Sequence, residues 1–324
     1  MKIKVSDYIA NFLSEHGVKH VFTVTGGGAM HLNDSLGHHK GLTCIYNHHA
    51  QACAIAAEGY TRLSGRLSAV CVTSGPGGTN AITGVLGGWL DSIPMFIISG
   101  QVKRETTTAS TDVPLRQLGD QEFQIVDCVN TMTKYAKMIW EPNEIAYHLE
   151  KAMYLCKNGR GGPVWIDVPL DVQAAIVETD ELKHFDLKEL EKQNVHEISE
   201  SIAKEIIEKI SNAKKPVIIA GSAIRLADSH DEFIELVNKL QIPVVTAWNA
   251  HDNLWDEHPL YCGRPGTVGT RGGNFVMENS DLILSLGCRL NIRQISYNYK
   301  NFSKNAYKIV VDIDNTLLPR DKNL

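Results

Sequence analysis

Glycine-rich turns that follow β-rich runs are the first places in this 324-residue sequence where chemistry could sit. Gly26-Gly27-Gly28 comes after the run 20–25, Gly75-Pro76-Gly77-Gly78 after 68–73, and Gly100 after 95–99. Ligands of open α/β sheets lie outside the carboxyl ends of the strands, so three such turns side by side imply a mouth. Glycine leaves backbone N–H groups accessible, and a helix N-terminus behind them at Thr79 adds its own, which suits an oxygen-rich or anionic group. Glycines that only make tight turns are the plain alternative. Beside these turns stand His48 and His49, after the run 42–46, and Gln101, which ends the run 95–99 at the mouth.

The elements that must position these residues alternate. Helical periodicity over 5–15, 51–63, 79–90 and 145–156, with another helix after Gly28, is interleaved with strands over 20–24, 42–46, 68–73, 95–99 and 163–168. The strands are rich in Val and Ile and apolar on both faces, as a covered parallel sheet requires. A polar stretch fills 103–122. Residues 178–197 are dense in charge and read as a linker. Beyond it the rhythm resumes, with helices over 199–211 and 231–240 and strands over 216–220, 243–246, 282–286 and 309–311. The fold class is therefore α/β: two doubly wound, mostly parallel sheets, in domains 1–177 and 198–324, the second barely closed at its final strand.

Composition narrows the classes of function. Two cores are expected from this length, since one domain takes about 100–200 residues. Hydrophobic residues make up 43% and charged residues 21%, and no apolar run approaches the about 20 residues of a membrane helix, so disorder and a transmembrane anchor are excluded. A net charge of −5 without any basic, aromatic-interleaved cluster excludes a nucleic-acid footprint. Seven cysteines, scattered singly, suggest neither a disulfide framework nor a metal knuckle and are expected to be buried small hydrophobes. The first residues, MKIKVSDYIANFLSEHG, lack the apolar core of a signal peptide, so a cytoplasmic protein is expected.

Several longer motifs, taken in order, carry a resemblance. Residues 46–62 read YNHHAQACAIAAEGYTR, followed by VTSGPGGTNAITGVLGGWLDSIPMFIISGQV, then FQIVD at 123–127, TKYA at 133–136 and GPVWIDVPLDVQ at 162–173. The stretch resembles the pyrimidine-binding N-terminal domain of thiamine-diphosphate enzymes of the acetolactate synthase type. KPVIIAGSAI, HPLYCGRPGTVGTRGGNF, SDLILSLGCRL and VVDID resemble that family's central domain. The resemblance implies thiamine diphosphate bound by Gly26, Gly27, Gly28, Ser74, Gly75, Pro76, Gly77 and Asn80, with His49, Gln101, Phe123, Gln124 and Lys134 on the thiazolium and substrate side. It implies a reaction in which a 2-oxoacid loses CO₂ and the remaining unit joins a second carbonyl compound, the cofactor being the electron sink. Central-domain residues Gly221, Ser222, Arg225, Gly266, Gly269, Gly287, Arg289, Asp312 and Asp314 would line a groove for flavin adenine dinucleotide (FAD), or for nothing, as in relatives with an empty Rossmann-like spacer. Val268 stands where that family often has His. Association into a homodimer or tetramer is implied through the small-residue helices 51–63 and 79–90.

Two departures limit what the resemblance carries. The family's catalytic glutamate, which hydrogen-bonds N1′ of the aminopyrimidine, falls at Ala50, and a methyl group can neither donate nor accept there. General acid–base help of that kind is worth roughly 10²–10⁴ in rate. Glu58 lies two helical turns on and is expected to point elsewhere. The G-D-G…N motif that holds Mg²⁺ on the diphosphate in the family's C-terminal domain is absent from the sequence, so no metal ligand is expected in this chain. It is expected to supply part of an active site, with Mg²⁺ and the diphosphate held by another domain or by a separate C-terminal-domain subunit. A non-catalytic or split-enzyme cofactor-binding subunit is the rival reading. A flavin or nicotinamide oxidoreductase has only the glycine turns behind it.

Overall fold

The apolar runs at 20–23, 68–72, 95–101 and 163–169 become strands buried on both faces, whereas Thr43–Tyr46, expected to be covered as well, is largely exposed because it lies at the edge of its sheet. In the computed structural model, described over residues 1–190 and 198–314, the chain divides into two units, Met1–Gln193 and Asn194–Leu324. The first is built in the order β1 (Lys2–Lys4), α1 (Val5–Glu15), β2 (His20–Thr23), α2 (Met30–His38), β3 (Thr43–Tyr46), α3 (Ala50–Ser64), β4 (Ser68–Val72) and α4 (Pro76–Asp91). It continues with β5 (Met95–Gln101), α5 (Ile125–Val129), β6 (Tyr135–Met138), α6 (Ile145–Lys157), β7 (Pro163–Pro169), α7 (Leu170–Ala174) and β8 (Ile176–Glu178). Six strands form one parallel sheet in the order β3-β2-β4-β5-β7-β6. One face is covered by Ile9 and Leu13 of α1, Leu32 and Leu36 of α2 and Leu149 and Met153 of α6. Ala54 and Ala57 of α3, Ala81 and Val85 of α4 and Ile125 and Val129 of α5 cover the other.

Parallel register fixes the direction of every loop. All six strands run the same way, so the residues that follow β3, β2, β4 and β5 leave from one edge. Helix α4 begins at Pro76, three residues before the expected start. Its proline needs no N–H in the first turn and has the φ angle a helix requires. The short edge strand β6 was not anticipated, nor was the antiparallel pair β1–β8, in which Ile3 lies opposite Val177.

The stretch read as a linker from residue 178 is docked on the first unit. Leu182 is buried in its core, Lys183 pairs with Glu144 at 3.1 Å, and Tyr147 donates to Glu189 at 2.6 Å. Charge density signalled a solvated segment, yet its apolar and paired residues hold it; residues 191–197 lie outside the described residues. The cysteines are all free, and Cys53, Cys71, Cys156 and Cys288 are buried as expected, whereas Cys128 on α5 is exposed. Among the described residues no helix is long and apolar enough to cross a membrane.

The second unit holds α8 (Glu200–Asn212), β9 (Pro216–Ala220), α9 (Ala223–Leu226), α10 (His230–Leu240), β10 (Val244–Thr246), α11 (Arg271–Glu278), β11 (Leu282–Leu286), α12 (Ile292–Ile295) and β12 (Tyr307–Val311). Its four-stranded parallel sheet has the order β10-β9-β11-β12, the smaller doubly wound sheet that the sequence implies.

Helices α3 and α4 cross at close range because the contact is made of small residues. A Cβ at Gly84 would lie 2.6 Å from Ala54 Cβ and 2.7 Å from the Ile55 nitrogen. Helix propensity alone favours alanine over glycine by up to about 1 kcal/mol. The backbone of α3 cannot yield as a flexible side chain would, so overpacking, which typically costs about 1–3 kcal/mol, should win. Gly84→Ala is expected to lower stability in a denaturant titration, and a gain in stability would show that the helices separate freely.

Candidate functional site

Five strand ends converge at the glycine edge. The main chain at Gly28 passes so near Gly100 that a Cβ on Gly100 would collide with the Gly28 carbonyl. Gly28 N–H donates to Thr73 Oγ1 at 3.1 Å, and a Cβ at Gly28 would sit 2.6 Å from Ser74 Oγ. Gln173, just beyond β7, donates from Nε2 to the carbonyls of both Gly28 and Val168 at 2.7 Å. Gly75 has φ of +55°, a value that side chains rarely adopt, and a Cβ there would strike the Gln121 carbonyl. The turns after β2, β4 and β5 are thus pressed together, and Asn47, which follows β3, joins them by donating from its backbone to the Thr23 carbonyl at 2.9 Å. Residues 26–28, 47–50, 74–78 and 100–101 share one edge.

Gln101 is fixed on every side. It is buried, its Nε2 donates to the Phe123 carbonyl at 2.9 Å and to Asp167 Oδ2 at 3.0 Å, and its Oε1 accepts from Val102 N–H at 3.0 Å. Phe123, part exposed, is thereby held at the rim. Gln124 donates to Thr108 Oγ1 at 3.1 Å. Between them, Glu122 organises the polar stretch: Oε1 accepts from the Thr108 N–H and hydroxyl, and Oε2 from Leu118 N–H at 2.9 Å and Gly119 N–H at 3.2 Å. Burial alone would raise its pKa, but these donors outweigh that and hold the carboxyl below the usual carboxylate range. Glu122 was not among the residues singled out from the sequence.

Ala50 is the first residue of α3 and is buried against Phe22, Cys53 and Ala54. His49, exposed, closes the helix start: its Nδ1 accepts from Gln51 N–H at 3.2 Å. That bond uses the ring nitrogen in a structural role. Glu58, eight residues beyond Ala50 along α3, is engaged with Arg62 one turn further on and does not face the mouth. Pro76, Gly77 and Asn80 lie on the first turns of α4, with Pro76 and Asn80 exposed.

Lys134 is not brought to the mouth of this unit. It immediately precedes β6, where its N–H donates to the Pro163 carbonyl at 2.8 Å and its Nζ to Asn158 O at 2.7 Å. Those partners mark the amino ends of β6 and β7, the edge opposite the glycines. Burial lowers its pKa.

In the second unit, turns after β9 and β11 meet: a Cβ on Gly221 would collide with the Gly287 carbonyl. Gly266 has φ of +130°, and its Cβ would lie 3.3 Å from Trp248 Nε1 and 3.1 Å from Gln294 Cα. Gly269 N–H donates to the Gly266 carbonyl at 3.0 Å. Among the described residues, Trp248 Nε1, Gln294 Nε2 and Asn253 Oδ1 are buried without a hydrogen-bond partner. Two unpaired donors beside a glycine cradle fit an acceptor-rich ligand such as a dinucleotide. Arg225 pairs with Asp252 at 3.2 Å, Asp312 accepts from Asp314 N–H at 3.0 Å, Arg289 is exposed and Ser222 is half-buried beside Gly221. No group of three or more His, Cys, Asp or Glu side chains able to hold a metal occurs among the described residues.

Two parallel sheets with glycine-lined carboxyl edges, the first carrying a Gln101-anchored mouth, are the architecture of cofactor-binding domains in a larger catalytic class. A family model described as thiamine pyrophosphate enzyme, N-terminal TPP binding domain, matches residues 3–127, and one described as thiamine pyrophosphate enzyme, central domain, matches residues 203–323. The chain belongs to the thiamine pyrophosphate enzymes, and it carries their N-terminal and central domains. It is similar to the acetolactate synthase large subunit of Lactococcus lactis subsp. lactis, with 35% identity over 312 residues covering 95% of this chain and 52% of that protein. The probable acetolactate synthase large subunit of Methanococcus aeolicus is 33% identical over 316 residues, covering 96% and 51%. The acetolactate synthase isozyme 1 large subunit of Escherichia coli is 31% identical over 320 residues, covering 98% and 54%. The chain spans about half the length of the curated relatives it matches.

Proposed function

We propose that the first unit supplies the aminopyrimidine half of a thiamine-diphosphate site for an acetolactate-synthase-like decarboxylation and carboligation, acting on a 2-oxoacid and a second carbonyl compound. The observation that carries this reading is the convergence of the turns at Gly28, Gly75 and Gly100 on one sheet edge, with Gln101 and Phe123 at its rim. Thiamine diphosphate, when bound, would supply a thiazolium ring with an acidic carbon, the cationic ring serving as electron sink for a carbonyl substrate. The residues of this chain bind and orient: the glycine turns at 26–28 and 75–78 let main chain come close to a ligand at the carboxyl edge, and Gln101 fixes the rim. The Mg²⁺ and diphosphate are assigned to residues outside 1–324, in keeping with the half-length coverage of the relatives. A dinucleotide, FAD being the family's example, is proposed for the second unit on the strength of the unpaired donors Trp248 Nε1 and Gln294 Nε2.

Association belongs to the same reading. Along α3 an exposed stripe of Ala52, Ile55, Gly59 and Leu63 lies beside exposed Leu86 and Leu90 of α4, an apolar face that a second copy of the chain would cover. A dimer or larger species is expected in sedimentation at micromolar concentration; a clean monomer counts against it.

Ala50 favours a second reading, a cofactor-binding subunit with little catalysis of its own. A glutamate at position 50 would sit at the positive end of α3, which favours its carboxylate, while burial favours the neutral acid. The test is a chimera in which this chain is followed by the remaining half of the Lactococcus lactis relative. Ala50→Glu in that chimera should raise the rate of deuterium exchange at C2 of thiamine diphosphate by about two to four powers of ten, the span of a positioned acid–base group. Equal rates in the two proteins, with cofactor bound in both, would overturn the assignment of position 50.

A further inference from the structure

A fully buried carboxyl group lies behind the mouth, and the proposed function does not use it. Asp167, in β7, is opposite Ser99 in the register of β5. Ser99 Oγ donates to its Oδ1 at 2.5 Å and Gln101 Nε2 to its Oδ2 at 3.0 Å. Ser99 is held in turn by Trp165, whose Nε1 donates to Ser99 Oγ at 2.7 Å. Gln101 spends its remaining amide capacity on the Phe123 carbonyl and Val102 N–H. A flipped amide would set Oε1 against two acceptors and NH₂ against a donor, so Gln101 has one satisfied orientation, and that orientation needs an acceptor at Asp167.

We propose that Asp167 is the positioning residue of the mouth: its ionised carboxylate fixes the amide of Gln101, Gln101 in turn anchors the main chain at Phe123, and protonation of Asp167 weakens this clamp. A proton on Oδ2 would meet the Gln101 NH₂ group donor to donor. A proton on Oδ1 would reverse the Ser99 bond and leave Gln101 donating to a neutral oxygen, a bond roughly half as strong as one to an ion. Either way the hold on Phe123 loosens. The role of the rim in catalysis rests on the reading above, whereas the clamp stands on the contacts alone.

The clamp is set to titrate near neutrality. Burial pushes the Asp167 carboxyl up, and the Ser99 and Gln101 donors only partly offset it, to about 7. The titratable groups of the packed elements are engaged or turned outward: Asp91 of α4 pairs with Arg62, Asp127 and Cys128 of α5 and Lys137 of β6 are exposed, Lys134 bonds Asn158, Asp171 pairs with Arg104, and Glu122 takes the Thr108 and Leu118 donors. Because the folded pKa exceeds the unfolded value, the unfolded chain releases this proton first. The contribution of Asp167 to stability is full below about pH 4 and is lost as pH rises toward 7.

The side-chain NH₂ resonances of Gln101 in the ¹⁵N-labelled chain, assigned by their loss in Gln101→Met, report the clamp directly and need no cofactor. In the wild type they should move with a midpoint near pH 7. In Asp167→Asn they should stay constant between about pH 5.5 and 8.5. Ser99→Ala removes a donor to the ionised form, so the midpoint should rise, by about half a unit or more. This variant keeps the test open if Asp167→Asn does not fold. Resonances that ignore pH in the wild type, the same titration in Asp167→Asn, or an unmoved midpoint in Ser99→Ala would each overturn the proposal. Failure of the chimera to bind cofactor would overturn the functional reading and leave this result standing.

Discussion

The close passage of two main chains, at Gly28 after β2 and at Gly100 in β5, is the constraint on which the first unit's site depends. The two segments are separated by β4 in the sheet, so they can meet only because all three strands run parallel and end at one edge. Any side chain at position 100 would force the turns apart. Gln173 secures the approach from the far side by donating to Gly28 and Val168 together, and its Oε1 accepts from Leu32 N–H at 3.4 Å. Sheet register, one backbone contact and one buried amide therefore define where the mouth is.

Polar groups beneath the rim follow the same economy. Glu122 accepts from both sides of the loop that carries it, so a negative charge replaces the backbone pairing that an irregular loop lacks. Asp167 and Gln101 do the equivalent inside the sheet, where the carboxyl takes the neutral donors of Ser99 and Gln101. Their electrostatics differ in sign. The Thr108, Leu118 and Gly119 donors hold the Glu122 carboxyl below its usual range, whereas burial with two donors pushes that of Asp167 up to about 7. Ala50 is the exception at this edge, a methyl group in an apolar setting at a helix start where a carboxylate would find a favourable field.

Much of this was legible in the sequence because it is local. Val- and Ile-rich runs located β2, β4, β5, β7, β9 and β11, and glycines at their ends located the mouth. What escaped is decided by long-range pairing. Strand β6, Tyr135-Ala136-Lys137-Met138, is short and mixed in character and becomes a strand only because β7 offers an edge. The segment after residue 178 looked solvated, yet Leu182 and its paired neighbours dock it. Lys134 was placed by motif on the substrate side, and the register puts it at the opposite edge. Asp167 did leave a signal, a lone carboxyl inside the apolar run PVWIDVP, where a buried acid demands donors and a reason.

The central claim is that the glycine edge of the first sheet is the ligand face. Hydrogen–deuterium exchange of the chimera, with and without thiamine diphosphate and Mg²⁺, tests it most directly. Protection is predicted at residues 26–28, 47–51, 74–78 and 100–101, and none at the opposite edge around Lys134, Asn158 and Gly162. Protection confined to that opposite edge, or to the second unit, would contradict the account.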